Sequence, residues 1–378
     1  VKRRIAMICA LVSLAAAATT AAAREAAAQT AEQKGAGAEE KSGTERPLLI
    51  SGSFVQPWFF ENWSASDWQA ELADLKAASV DDHIIVQWTL DSGKKKAWYN
   101  TNLRGIQKVK GPGGIDPAAV CLGEAQKAGI KVWLGLNWND SWWDKYANDK
   151  AWLDGEFDLA SSLAIDLYNC YKKDFSGAIA GFYIPMEVDN DNFAAAEASE
   201  LMGDKYASLC AVVHRATGKP IMIAPFCSDS GSMNPAAWER LWTRILRKAA
   251  IDVINMQDGC GASDDGMRTH TSPETVGRWF ATLRSAINKS RPRTELWSDL
   301  ETFDMAGDGS CSAAADFGRI ERQIMAEAPY VSRFSSYSVF QYQTRYPEPG
   351  SAGEEWRRKR SIAQYGRLKQ YQTGSRRP

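Results

Sequence analysis

The chain has 378 residues, 44% hydrophobic and 24% charged, which is enough to bury a large globular core. Its 45 Lys and Arg nearly balance its 46 Asp and Glu, so the net charge of −1 gives no compositional case for a nucleic-acid partner. Fifteen tryptophans stand out: core packing accounts for most, and flat, amphipathic indoles also suit stacking on sugar rings.

Lys2, Arg3 and Arg4 precede an apolar run over 5–18, and Ala21, Ala22 and Ala23 offer a small-residue cleavage site. This pattern predicts a signal peptide over 1–23 and a secreted or periplasmic protein. Removing its three cations leaves a net charge of about −4. Residues 24–46 are rich in Ala, Glu, Gly, Lys and Ser and predict a disordered leader. No later run approaches the ~20 apolar residues of a membrane span. Export permits disulfides among Cys121, Cys170, Cys210, Cys227, Cys260 and Cys311. Cys227, Cys260 and Cys311 each fall just after a predicted strand, so any two could meet, or all three could be buried thiols. No CxxC occurs, and His83, His214 and His270 are scattered, so neither a metal nor another cofactor is expected.

From Pro47 onward, β-type apolar runs alternate with amphipathic helical runs. Strands are predicted over 48–56, 83–89, 130–137, 179–187, 220–226, 252–257, 294–301 and 334–341. The first helix opens at Ser66 and runs to Ala78. The second starts near Pro117 and stops at Gly129. Others are predicted over 157–172, 194–216, 235–249, 273–289 and 312–328. A last helix over 353–370 carries the basic run Arg357, Arg358, Lys359 and Arg360. Eight strand–helix units predict an α/β fold: a single (β/α)8 TIM barrel over 47–370 with a C-terminal helical extension and a tail over 371–378. The first strand runs into Gln56-Pro57-Trp58, with no Gly-rich dinucleotide turn.

A barrel carries its active site at the C-terminal strand ends. The polar and aromatic residues there are Gln56 and Trp58 (first strand), Gln87 and Trp88 (second), and Asn137 and Trp138 (third). Tyr183, Glu187 and Asp189 belong to the fourth, Gln257 and Asp258 to the sixth. Asp299 and Glu301 belong to the seventh, Gln341 and Tyr342 to the eighth. Amides and carboxylates bind sugar hydroxyls, and aromatic faces stack on sugar C–H faces. Trp297, Asp299 and Glu301 share one face by the two-residue period, with Asp299 one layer deeper as a structural, hydrogen-bonded group. Glycoside hydrolysis needs two carboxyl groups flanking the scissile bond, one as acid and one as nucleophile or base. Glu187 and Glu301, from opposite sides of the mouth, are the catalytic candidates; the others named are candidates for substrate binding. Asp189, Asp258, Asp299 and Asp304 could instead hold a divalent cation for sugar-ester hydrolysis, but no EF-type loop or His ligand supports this. No G-x-S-x-G elbow or phosphate loop is present.

The motifs SFVQPW (53–58), VQW (86–88), YIPMEVD (183–189) and WSDLETF (297–303) together resemble the bacterial TIM-barrel family catalogued as domain of unknown function 4434. The chain is also similar to clan A glycoside hydrolases, in which the acid/base Glu ends the fourth strand and the nucleophile Glu ends the seventh. That resemblance implies Glu187 as acid/base, Glu301 as nucleophile, retention of configuration, and a carbohydrate partner. It departs at Met186, where clan A generally has an Asn that holds the sugar 2-hydroxyl; Asn137 or Gln87 could supply that contact. The expected function is an exported glycoside hydrolase acting on a polysaccharide or oligosaccharide. The competing expectation is a non-catalytic polysaccharide-binding protein on a degenerate barrel. A monomer is expected.

Overall fold

The computed structural model describes residues 49–262, 271–305, 311–343 and 362–374. The expected signal peptide and leader, His270, residues 353–361 and the last four residues lie outside them. Eight parallel strands close into a barrel: β1 Ile50–Val55, β2 His83–Val86, β3 Lys131–Gly135, β4 Ile179–Ile184, β5 Ile221–Ile223, β6 Val253–Gln257, β7 Glu295–Glu301 and β8 Arg333–Tyr337. They pair in sequence order, and β8 returns to β1, with Ser53 opposite Ser336. The longer helices are α1 Ala65–Ala77, α2 Pro117–Ala128, α3 Lys150–Phe175, α4 Ala196–Thr217, α5 Pro235–Lys248, α6 Val276–Ser290, α7 Phe317–Glu327 and α8 Ile362–Gly374. Among the described residues, no helix is long and apolar enough to cross a membrane.

Several boundaries differ from the sequence expectation. α1 is capped by Ser64, not Ser66: Ser64 and Asp67 exchange side-chain and backbone hydrogen bonds in a capping box. α7 starts at Phe317 because 311–314 pairs instead with Phe303–Met305 in a hairpin beside the mouth. The eighth strand ends at Tyr337, and Val339–Tyr342 forms one helical turn. α8 runs through Gly374, beyond the expected tail boundary. It staples the barrel floor. The Gln372 side chain donates to the Ile50 carbonyl (2.6 Å) and accepts from the Ile50 N–H (3.2 Å), while the Tyr365 hydroxyl donates to the Asp74 carbonyl (2.9 Å).

The core has two layers. Most buried apolar side chains fill the space between barrel and helices. A smaller set that includes Phe54, Ile85, Trp133, Tyr183, Met222 and Trp297 fills the barrel interior. Glycines make room for the large rings. A Cβ at Gly181 would sit 2.5 Å from the Trp133 ring, and one at Gly52 would sit 2.2 Å from His83 Nε2. That His83 lies on the barrel floor, buried, with Nδ1 3.0 Å from Asp82 and Nε2 3.1 Å from the Ser335 hydroxyl. Cys121, Cys170, Cys210, Cys227 and Cys260 are free thiols.

Candidate active site

Glu187 lies three residues beyond the end of β4, and Glu301 is the last residue of β7, with β5 and β6 between the two strands. Glu301 is 7% exposed, and Glu187 is partly exposed. Their settings differ. The Glu301 carboxylate accepts two backbone N–H groups through Oε2, from Gly261 (2.7 Å) and Ala262 (2.9 Å). Such bonds favour the charged form. Burial and the negative charge of Asp258 act the other way, and the net effect pushes Glu301 up to about 7. Burial pushes Glu187 up to about 8; a hydrogen bond from Gln257 opposes this, and the charges of Glu301 and Asp189 add to it. Both carboxyls are raised, and Glu301 is the one held by backbone amides.

Behind them the mouth is acidic throughout. Asp299, buried one layer below Glu301, is held well above the usual carboxylate range by burial and by Asp258, Glu301 and Glu187. Glu327 of α7 is raised by burial and by Asp258, and its carboxyl accepts from the Ser298 hydroxyl. Among the described residues, no three His, Cys, Asp or Glu side chains converge as a metal site.

The expected substrate-binding residues separate into two groups. Gln87, Trp88, Trp58 and Gln257 are partly exposed. Trp88 stacks on Trp138 with 5.6 Å between centroids and 19° between planes, and Trp138 (9% exposed) anchors its Nε1 on Asp140. Tyr183 is buried in the barrel interior, and burial and the charges of Glu187 and Asp299 raise its phenol. The remaining residues are buried and bond within the protein. The Gln56 amide exchanges hydrogen bonds with Ser338. The Asn137 amide donates to Glu156 of α3 (2.7 Å), which also takes Asn139 and Ser92. Asp189 accepts the Asp191 and Asn192 N–H groups and shapes its own loop. Gln341 donates to the hydroxyl of Tyr342 (3.2 Å), and Tyr342 is fully buried against Phe303. Asp258 is fully buried. The physical reason is common to all: each strand continues into a tightly hydrogen-bonded loop, so a polar residue just past a strand often ties that loop down.

Tyr146 is a site residue that sequence reasoning missed. It sits at φ +44°, and burial, Asp189 and, further down, Glu187 all raise its phenol. It contacts Trp143 and Trp142. The signal was the run Trp142-Trp143-Asp144-Lys145-Tyr146, an aromatic cluster just beyond the third strand. Tyr206 of α4 had no such signal; its hydroxyl donates to the Met186 carbonyl (3.3 Å), next to Glu187.

A family model described as a domain of unknown function, DUF4434, matches residues 50–352. The chain belongs to this family. No curated protein matches it in sequence. Among solved structures, this member of the family is similar to a candidate alpha-L-fucosidase from Bacteroides thetaiotaomicron. That match has a TM-score of 0.62 and 16% identity and covers 87% of this chain and 96% of the other. It is also similar to the GH53 catalytic domain of Ignisphaera aggregans, with a TM-score of 0.51, 15% identity and the same coverage of 87% and 96%. A third is GH5_18 from Streptomyces cattleya, solved in complex with GlcNAc, with a TM-score of 0.50, 14% identity and coverage of 88% and 82%. At these identities the likeness is one of fold: the family shares the barrel of glycoside hydrolases.

Proposed function

We propose that this chain is an exported glycoside hydrolase that cleaves a polysaccharide or oligosaccharide by double displacement. The observation that carries this reading is a pair of strand-end carboxyls in different settings: Glu301, gripped by two backbone amides, and Glu187, raised by burial. In this reading Glu187, protonated near neutral pH, gives its proton to the leaving glycosidic oxygen. Glu301, ionised, attacks the anomeric carbon as the C–O bond breaks. Glu187, now a carboxylate, takes a proton from water, which attacks the same carbon and releases Glu301. The configuration is retained. Gln87 holds the sugar 2-hydroxyl in place of the Asn that Met186 displaces, since Asn137 is committed to Glu156. Trp88, Trp58, Trp143 and Tyr146 supply the stacking faces. Support for export comes from the amino-terminal pattern alone.

The test is a screen of the purified protein against bacterial and plant polysaccharides. Release of new reducing ends supports the reading, and proton NMR of the first-formed anomer reads retention. Tight polysaccharide binding with no cleavage would replace it with a binding protein on the same barrel.

A further inference from the structure

The sequence placed Asp258 among sugar-binding residues, yet it is buried at the end of β6 and all its contacts are internal. Oδ1 accepts the N–H of Cys260 (3.0 Å) and the N–H of Glu301 itself (3.3 Å). Oδ2 accepts from the Gln323 amide of α7, whose own carbonyl oxygen accepts from Arg319 (2.9 Å). The Asp258 carboxylate thereby curls the segment Asp258-Gly259-Cys260, and the next two N–H groups, of Gly261 and Ala262, point at Glu301 Oε2. Two glycines permit the curl. Gly259 sits at φ +68°, and a Cβ on Gly261 would lie 2.4 Å from the Phe303 carbonyl and 2.9 Å from Glu301 Cβ.

We infer that Asp258 is a positioning residue: from just past the end of β6 it fixes the amide cradle that aims the Glu301 carboxylate into the mouth. The negative charge of Asp258, buried beside Glu301, also raises that carboxyl. The inference rests on the proposed role of Glu301, but the cradle can be read without any substrate. Among the described residues, the groups that face Glu301 are Asp258 and the Cys260 thiol after β6, Asp299 on β7, Glu187 beyond β4, and Glu327 and Arg319 on α7. Of the carboxylates, Asp258 alone bonds both the Glu301 backbone and the cradle loop.

The test is carbon-13 NMR of protein labelled at the Glu carboxyl carbon, with the Glu301 signal assigned by its loss in Glu301→Gln. Asp258→Asn keeps Oδ1 for the two N–H groups and removes the charge; pairing it with Gln323→Ala relieves the conflict between two facing amide donors. The double variant is compared with Gln323→Ala. The Glu301 midpoint should fall by about one unit, because a like charge has been removed. In parallel, Asp258→Ala, which frees the loop, should lower kcat ~10-fold with little change in KM, and the Asp258→Asn double variant should recover most of that loss. An unchanged Glu301 midpoint overturns the inference, as does an Asp258→Ala protein that turns over at the wild-type rate. If Asp258→Ala does not fold, the midpoint comparison decides. If no polysaccharide is cleaved, the function proposal fails while the titration still decides this one.

Discussion

The two ends of the barrel treat charge in opposite ways. At the floor the charges around His83 are compensated. Asp82 is drawn below its ordinary value by its hydrogen bond to His83 and by Arg333, and burial lowers His83 against the pull of Asp82. Arg333 also lies over the Trp297 ring, 5.2 Å from its centroid. At the mouth, Glu187, Asp258, Asp299 and Glu301 are all raised above their ordinary values, as is Glu327 behind β7. Arg319 is the cation that acts on Asp258 and Glu301. Around His83 the floor pairs its charges; a mouth that concentrates carboxylates gives up stability, and the proposed acid–base chemistry would draw on such an arrangement.

The sharpest break should come from removing mouth carboxyls one at a time. Glu187→Gln and Glu301→Gln should each lower kcat/KM on a cleaved polysaccharide by about a thousandfold, with circular dichroism unchanged. Equal activity in either variant removes that residue from the chemistry. At the floor the effect should fall on stability instead. Gly52→Ala places a Cβ against the buried His83 ring and should cost about 1–3 kcal/mol, read as a lower melting temperature, with kcat in the surviving fold unchanged.

A third comparison concerns pH. A carboxyl raised in the folded state binds its proton more tightly there than in the unfolded chain. Its contribution therefore favours folding least once the pH exceeds the folded value, and stability falls from the ordinary carboxylate range up to about pH 8 for Glu187. Glu187→Gln should then melt higher than the wild type at pH 9, with the difference shrinking by pH 5. The smallest effect belongs to Asp82→Asn. Asp82 is 45% exposed, so its loss should cost under about 1 kcal/mol and leave activity intact.

The barrel was legible because it is written in repetition: apolar runs at β spacing, helical runs between them, and Gly129 and Gly218 closing helices with left-handed backbone. The strand-end positions of Glu187 and Glu301 were legible because Glu187 follows an apolar strand and Glu301 closes the seventh after Trp297 and Asp299. The partners of Gln56, Asn137 and Asp258 were not. Ser338, Glu156 and Gln323 lie 282, 19 and 65 residues away, and loop closure alone brings them together. Period and strand order say where a side chain starts; only the packed loops decide whether it ends on substrate or on a neighbouring amide. The raised pKa values were equally hidden, because burial and like charge arise only when β6, β7 and α7 meet.

The measurement that tests the proposed chemistry of the mouth most directly is the pH dependence of kcat/KM for the wild-type protein from pH 5 to 10 on a polysaccharide that it cleaves. Ionisation of Glu301 should bring activity up through about pH 7, and loss of the Glu187 proton should bring it down through about pH 8. A narrow bell with both limbs near neutrality, whose alkaline limb is missing from the residual activity of Glu187→Gln, is the predicted result. A flat profile from pH 5 to 9 would contradict it, because two carboxyls in these settings could not then be the acid and the nucleophile.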